Sequence, residues 1–256
     1  MLNPFKEAFF PVLRFFGKRK MQRVFSEEPI LIGGCGRAGT TLLLSVLSAH
    51  PAVYAIPNEL SVFNYWTKRK YKEPLRIDRL YREVLFSHIP KQATRFCEKT
   101  PRNVRHIPEI MNFFDGHVKF IHIVRDGRDV ILSQHPDKKN EYWIKPERWI
   151  KDVSAGLAYA EHENVLTIKY EDLVEDYSST INQICSFLNL EMTEELLNWL
   201  EHTKVRDNQA WHNGVSSLHS RSIGKWKQRQ NEGIIKSAMA NEEFAELLEK
   251  LGYINR

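Results

Sequence analysis

Gly33-Gly34-Cys35-Gly36-Arg37-Ala38-Gly39-Thr40-Thr41 gathers four glycines, one guanidinium and two hydroxyls into nine residues. Glycines let a backbone turn tightly and come close to an anion. The apolar run Ile30-Leu31-Ile32 precedes the cluster, and Thr40 to Ser48 reads as a helix. Free N–H groups and a helix N-terminus would then face negative charge. A plain strand-to-helix turn is the alternative. Arg125 ends a second apolar run, Val118 to Val124, and Ser133 follows eight positions later. A planar guanidinium fork with a neutral hydroxyl suits a phosphate. Taken alone, Arg125-Asp126 and Arg128-Asp129 also read as surface ion pairs. Glu59 and Lys99 offer a carboxylate and a cation; their plainer readings are a helix N-terminal acid and a solvated lysine.

The loop departs from two known phosphate-binding patterns. Gly34, Gly39 and Thr41 fit G-x-x-x-x-G-K-[ST], but Thr40 stands in the lysine position and the cation comes earlier, at Arg37. Gly34, Gly36 and Gly39 fit the dinucleotide pattern G-x-G-x-x-G. That pattern wants an acid ending a second strand, and the corresponding region is Pro57-Asn58-Glu59 after a proline turn.

These motifs need elements to hold them. Apolar runs at Ile30–Ile32, Val118–Val124 and Val165–Ile168 read as strands. Helical stretches follow at Thr40–Ser48, Asp129–Gln134 and Ser179–Leu188, with a last helix at Glu242–Leu251. Strand–helix alternation predicts an α/β fold, a central parallel sheet flanked by helices. Ligands in such sheets sit at the carboxyl ends of the strands, where the motifs fall. Residues 62–97 are basic and aromatic without strand alternation, and read as helices and loops over the site. His50 reads as a helix-end cap and His122 as a satisfied interior residue.

The motifs together resemble the PAPS-dependent sulfotransferase family, PAPS being 3′-phosphoadenosine-5′-phosphosulfate. Arg37-Ala38-Gly39-Thr40-Thr41 is similar to the family's 5′-phosphosulfate loop, with Ala38 in place of the usual serine. Arg125 and Ser133 match the two ends of its 3′-phosphate motif. Glu98-Lys99-Thr100-Pro101 resembles the segment whose lysine faces the transferred group. His50 to Glu59 resembles the segment that carries a carboxylate near the acceptor. Tyr170-Glu171-Asp172-Leu173 and Arg221-Ser222-Ile223-Gly224-Lys225-Trp226 resemble a post-strand segment and a late loop over the nucleotide. The arginine loop looks closer to the carbohydrate, tyrosylprotein and bacterial branches than to the small-phenol enzymes.

The resemblance implies a P-loop-NTPase-like sulfotransferase fold over residues 27–256, with PAPS as co-substrate, 3′,5′-diphosphoadenosine as product and no metal. It implies nucleotide contacts from Gly34, Cys35, Gly36, Arg37, Ala38, Gly39, Thr40, Thr41, Arg125, Ser133, Tyr170, Arg221, Ser222 and Lys225. The catalytic set is Glu59, Arg37 and Lys99, with His88 and His106 as rival bases. The acceptor would carry a hydroxyl and is not a nucleic acid. Two other classes stay open: a P-loop kinase holding magnesium through Asp126, and a nucleotide-binding homologue without turnover.

The rest of the chain sets bounds. At 256 residues and 42% hydrophobic it can build one large core, and its formal charge of +5 suits an anionic ligand. Three widely spaced cysteines make neither a metal pattern nor a disulfide framework, so a reducing, cytoplasmic setting is expected. No stretch approaches the length of a membrane span, and residues 1–26 lack a signal-peptide core. Those residues form a basic arm in which Phe5, Phe9, Val12 and Phe16 recur at helical steps, with Pro11 expected to kink or interrupt the helix. Packing on the body and peripheral contact with an anionic membrane are both open to it.

Overall fold

The computed structural model describes residues 4–64, 74, 76–135, 138, 141–205 and 222–254. Helix α1 (Pro4–Val24) leads into β1 (Ile30–Gly34), α2 (Thr40–Leu47), β2 (Val53–Ala55), α3 (Ile77–Phe86) and β3 (Arg95–Lys99). A 3-10 segment (Pro101–His106) and α4 (Ile107–Phe113) precede β4 (Lys119–Val124), α5 (Gly127–Ile131), α6 (Pro146–Leu157) and β5 (Val165–Lys169). Helices α7 (Tyr170–Glu175), α8 (Tyr177–Leu188), α9 (Glu194–Leu197), α10 (Trp199–His202), α11 (Glu232–Met239) and α12 (Glu242–Lys250) complete the chain.

The sheet order is β2-β3-β1-β4-β5, and every pairing is parallel. Parallel strands joined by crossover helices are covered on both faces, and all residues of β1 and β3 are buried. Ile30 and Ile32 pack with Leu43, Leu47, Ile184 and Leu188 on one face, while Leu31 packs with Phe96, Val104, Ile107 and Phe120 on the other. The chain leaves β1 towards β2 on one side and later returns to β4 on the other. That reversal opens a crevice at the carboxyl ends of β1 and β4, the usual ligand position in open α/β sheets.

Two expectations are corrected here. The stretch 62–97 is not helix and loop throughout: Arg95–Lys99 is an interior strand, with Ile32 opposite Lys99. It lacks an apolar run because its charges are satisfied internally. Arg95 donates to Leu188 O at 2.8 Å and pairs with Glu27, and Lys99 pairs with Glu59. The second correction concerns Ser133. Helix α5 ends at Ile131, so Ser133 lies in the turn beyond it, where its N–H donates to Val130 O.

Helix α1 runs through Pro11 and lies along α3. Gly17 permits the approach, since a Cβ there would sit 2.6 Å from Tyr81 Cβ. Lys20 Nζ donates to Leu85 O and Ser87 O at the end of α3. His122 is interior as expected but only half satisfied. Nδ1 sits 3.4 Å from Thr167 Oγ1, Nε2 has no partner, and burial pushes the ring down to about 3.

Candidate active site

Three strand ends supply the site. Gly34 ends β1 and opens the loop to Gly39, which has φ 99° and sits as N-cap of α2. A Cβ at Gly39 would stand 2.4 Å from the Tyr170 ring, so glycine is required by both backbone and contact. No side chain caps α2, leaving its first-turn N–H groups for an anion. Cys35 and Ala38 are buried and can offer a ligand only their backbone; burial pushes the Cys35 thiol up, and Asp152 adds to this.

Arg37 sits at φ 71°, an uncommon conformation for a residue with a Cβ. Burial and the adjacent Arg125 lower its affinity for the proton, though a guanidinium stays charged near neutrality. Arg125 follows β4. It donates to Arg37 O at 3.1 Å and to Ser222 O, its guanidinium carbon lies 4.4 Å from the Tyr170 ring centre, and its buried Nε has no partner. Neither arginine has an ion pair among the described residues. Two cations, an orphaned N–H and an uncapped helix therefore converge with no carboxylate in direct contact with either guanidinium among the described residues, although Asp129 and Glu171 feel the charge of Arg125 from nearby. An anion with several oxygens fits that deficit.

The late segment is tied to the same place. Tyr170 Oη lies 2.8 Å from Ser222 Oγ. Asp129 accepts from Gly224 N at 2.7 Å and from Trp226 N at 3.1 Å, and Arg128 stacks 3.5 Å from the Trp226 ring centre. Burial raises the Asp129 carboxyl, and those two N–H groups partly offset it. Lys225 is exposed in the 3-10 turn Lys225–Lys227, and Arg221 lies outside the described residues. Ser133 is half-buried, and its Oγ donates to Asp129 O at 3.4 Å.

At the end of β3, Lys99 Nζ donates to Glu59 Oε1 at 2.6 Å. The lysine side chain is fully buried while that of Glu59 is 41% exposed, so the pair has one dry and one open side. Glu98, also buried, points away from that pair. Its Oε1 accepts from Thr100 Oγ1 at 2.5 Å and Leu60 N at 3.3 Å, and its Oε2 accepts from Asn103 Nδ2 at 2.7 Å. Ser61 N donates to Thr100 Oγ1, and Arg79 Nη1 holds Leu60 O at 2.7 Å. Burial raises Glu98 while those donors pull it back. The segment carrying Glu59 is thus anchored to a buried carboxylate.

The structure brings Glu59 and Lys99 into contact, and separately Arg37, Arg125, Tyr170 and Ser222. Sequence reasoning missed Glu98, Asp129 and a third cation, Arg148. A Cβ on Gly36 would stand 3.2 Å from Arg148 Nη2, and Arg148 and Arg105 both pair with buried Asp152. It also missed the Glu171–Tyr253 hydrogen bond at 2.8 Å. A glutamate with Thr100 and Asn103 two and five residues on was the only available signal. His50 Nδ1 accepts from Ala52 N in the turn beyond α2, whose C-cap is Ser48, so the ring braces that turn and does not cap the helix. Asp126, which a kinase would need for magnesium, is spent on Arg128 at 2.7 Å.

Residues 29–194 match the family described as "Sulfotransferase family". The Protein-tyrosine sulfotransferase of Drosophila melanogaster is 34% identical over 209 residues, covering 69% of this chain and 42% of that protein. The sulfotransferase domain from the curacin biosynthetic pathway superposes with TM-score 0.64 at 19% identity, over 91% of this chain and all of that one. Mouse sulfotransferase SULT7A1 complexed with PAP superposes with TM-score 0.55 at 17% identity, over 92% and 93% of the two chains.

Proposed function

Since the chain belongs to the sulfotransferase family, we propose that it moves a sulfuryl group from PAPS to a hydroxyl-bearing acceptor. The observation that carries this reading is the convergence of Arg37 and Arg125, neither in a salt bridge among the described residues, on the loop at the end of β1, with the Glu59–Lys99 pair on the adjacent strand end. The donor supplies an activated S–O bond, and its two anionic ends match two cation sites.

Gly34 to Thr41 cradle the 5′-phosphosulfate through backbone N–H groups. Arg125 and Ser133 take the 3′-phosphate, and Tyr170, Ser222 and Lys225 contact the nucleotide. Glu59 accepts the acceptor hydroxyl's proton as its oxygen attacks sulfur. The bond from sulfur to the bridging oxygen breaks opposite, and 3′,5′-diphosphoadenosine leaves. Lys99 has three donors and gives one to Glu59, leaving the others for charge growing on the sulfuryl and bridging oxygens. Arg37 acts on the same charge. The exposed side of Glu59 is where the acceptor enters. The transferred group carries less charge than a phosphoryl group, so Lys99 and Arg37 suffice without a metal. Cys35, Cys97 and Cys185 are buried and unpaired, which suits a reducing, cytoplasmic setting.

The test is transfer itself. Incubating the protein with PAPS and a library of hydroxyl compounds, read by mass spectrometry, should yield sulfated product in the presence of a chelator. Turnover of ATP-magnesium with no product from PAPS would replace this reading with a kinase.

A further inference from the structure

Helix α1 already spends one face. Phe10, Gly17, Met21 and Val24 turn towards α3 and the core. The opposite face carries a stripe at alternating three- and four-residue steps: Phe9, Val12, Phe16, Arg19 and Arg23, all exposed. The stripe starts apolar and ends cationic. Phe15 and Phe86 stand exposed nearby, the latter between the two residues that Lys20 clasps. Eight large apolar side chains are exposed among the described residues, and five of them are Phe9, Val12, Phe15, Phe16 and Phe86. Such residues scattered singly mean little; gathered on one helix and its neighbour they mark a docking surface.

The charge identifies the occupant. Between residues 9 and 26 there is no Asp or Glu, against Arg14, Lys18, Arg19, Lys20 and Arg23. Lys18, Arg19 and Arg23 have no ion pair among the described residues. A groove along the same helix is lined by Pro11 and Phe15 together with Arg14, Lys18, Arg19 and Gln22, and by Phe10 at its core edge. Apolar and cationic lining side by side match an acyl chain beneath an anionic headgroup. A second copy of this chain fits worse, because a twofold contact would set Arg19 and Arg23 against their own like charges.

We propose that the outer face of α1 seats the protein peripherally on an anionic phospholipid surface, Phe9, Phe15 and Phe16 entering the headgroup boundary and Arg19 and Arg23 facing lipid phosphates. Aromatic rings with flanking arginines are the usual chemistry of a helix lying in that interface. No helix among the described residues is long and apolar enough to cross a membrane. This proposal stands apart from the catalytic reading, since no residue of the stripe belongs to the site.

The experiment is vesicle sedimentation of the full chain. Vesicles of phosphatidylcholine with about one-third phosphatidylserine should carry the protein down, and pure phosphatidylcholine should not. Raised salt should release it. F9S/F16S and R19E/R23E should each weaken binding at least tenfold, while affinity for 3′,5′-diphosphoadenosine stays unchanged. Equal sedimentation with both vesicle types, or full binding by R19E/R23E, overturns the proposal. So does a concentration-dependent dimer, seen by light scattering, that F9S/F16S turns into a monomer.

Discussion

The two halves of the crevice are built on opposite plans. On the β1–β4 side, Arg37 and Arg125 lie beside an uncapped helix N-terminus with no salt bridge among the described residues. On the β3 side, every charge has a partner: Lys99 has Glu59, and Glu98 has Thr100, Asn103 and Leu60 N. Binding energy should therefore reside mainly on the β1–β4 side through Arg125, and turnover on the β3 side, with Arg37 as the one group of the first half that serves turnover.

Four substitutions test that division, beginning with the largest effect. Glu59→Gln keeps size but removes basicity, and should lower kcat by at least about 100-fold with affinity for 3′,5′-diphosphoadenosine near wild type. Retained activity in this variant, with loss in His88→Ala or His106→Ala, would move the base to a histidine. Arg125→Ala should weaken 3′,5′-diphosphoadenosine binding by about ten- to a hundredfold, measured by calorimetry, while affinity for nucleotides lacking the 3′-phosphate barely changes. Equal losses for both ligands would end its assignment to the 3′-phosphate.

Glu98→Gln sharpens the comparison, because Glu98 touches no proposed substrate position yet anchors the segment of Glu59. It should lower kcat about tenfold, within the range a small misplacement produces, with KM for PAPS unchanged. Its pH signature has a definite sign. Burial raises Glu98 in the folded chain, so the folded state holds this proton more tightly than the unfolded state. The stability it contributes is present at low pH and falls as pH rises from the ordinary carboxylate value through the raised one. Urea midpoints of wild type minus Glu98→Gln should thus shrink with rising pH, and a flat difference would contradict the buried carboxylate. The smallest effect belongs to Arg37→Ala measured by binding: a fewfold loss of nucleotide affinity beside a much larger fall in kcat. A normal kcat would reduce the arginine to a loop element.

What could be read in advance follows the same division. The strand ends on the β1–β4 side were legible because the motifs there are continuous and abut apolar runs, as Gly33–Thr41 follows Ile30–Ile32 and Arg125 follows Val118–Val124. The acceptor side was half legible. Glu59 and Lys99 stood out by resemblance, but the strand holding Lys99 did not. In Arg95-Phe96-Cys97-Glu98-Lys99 three of five residues are charged, and only long-range partners such as Leu188 O and Glu59 make them tolerable in a sheet interior. Val53–Ala55 is too short to show a period. Arg148 and Asp152 face the loop from a helix remote in sequence, and nothing local announces them.

Tyr253 joins the last turn of the chain to the nucleotide side: its hydroxyl donates to Glu171, and its carbonyl accepts from Arg128 at 2.9 Å. Glu171 in turn accepts from the backbone N–H of Asp126, next to Arg125. On the ribosome, all five strands emerge before this residue does. The sheet can therefore assemble on a nascent chain before Tyr253 emerges to brace the Arg125 neighbourhood.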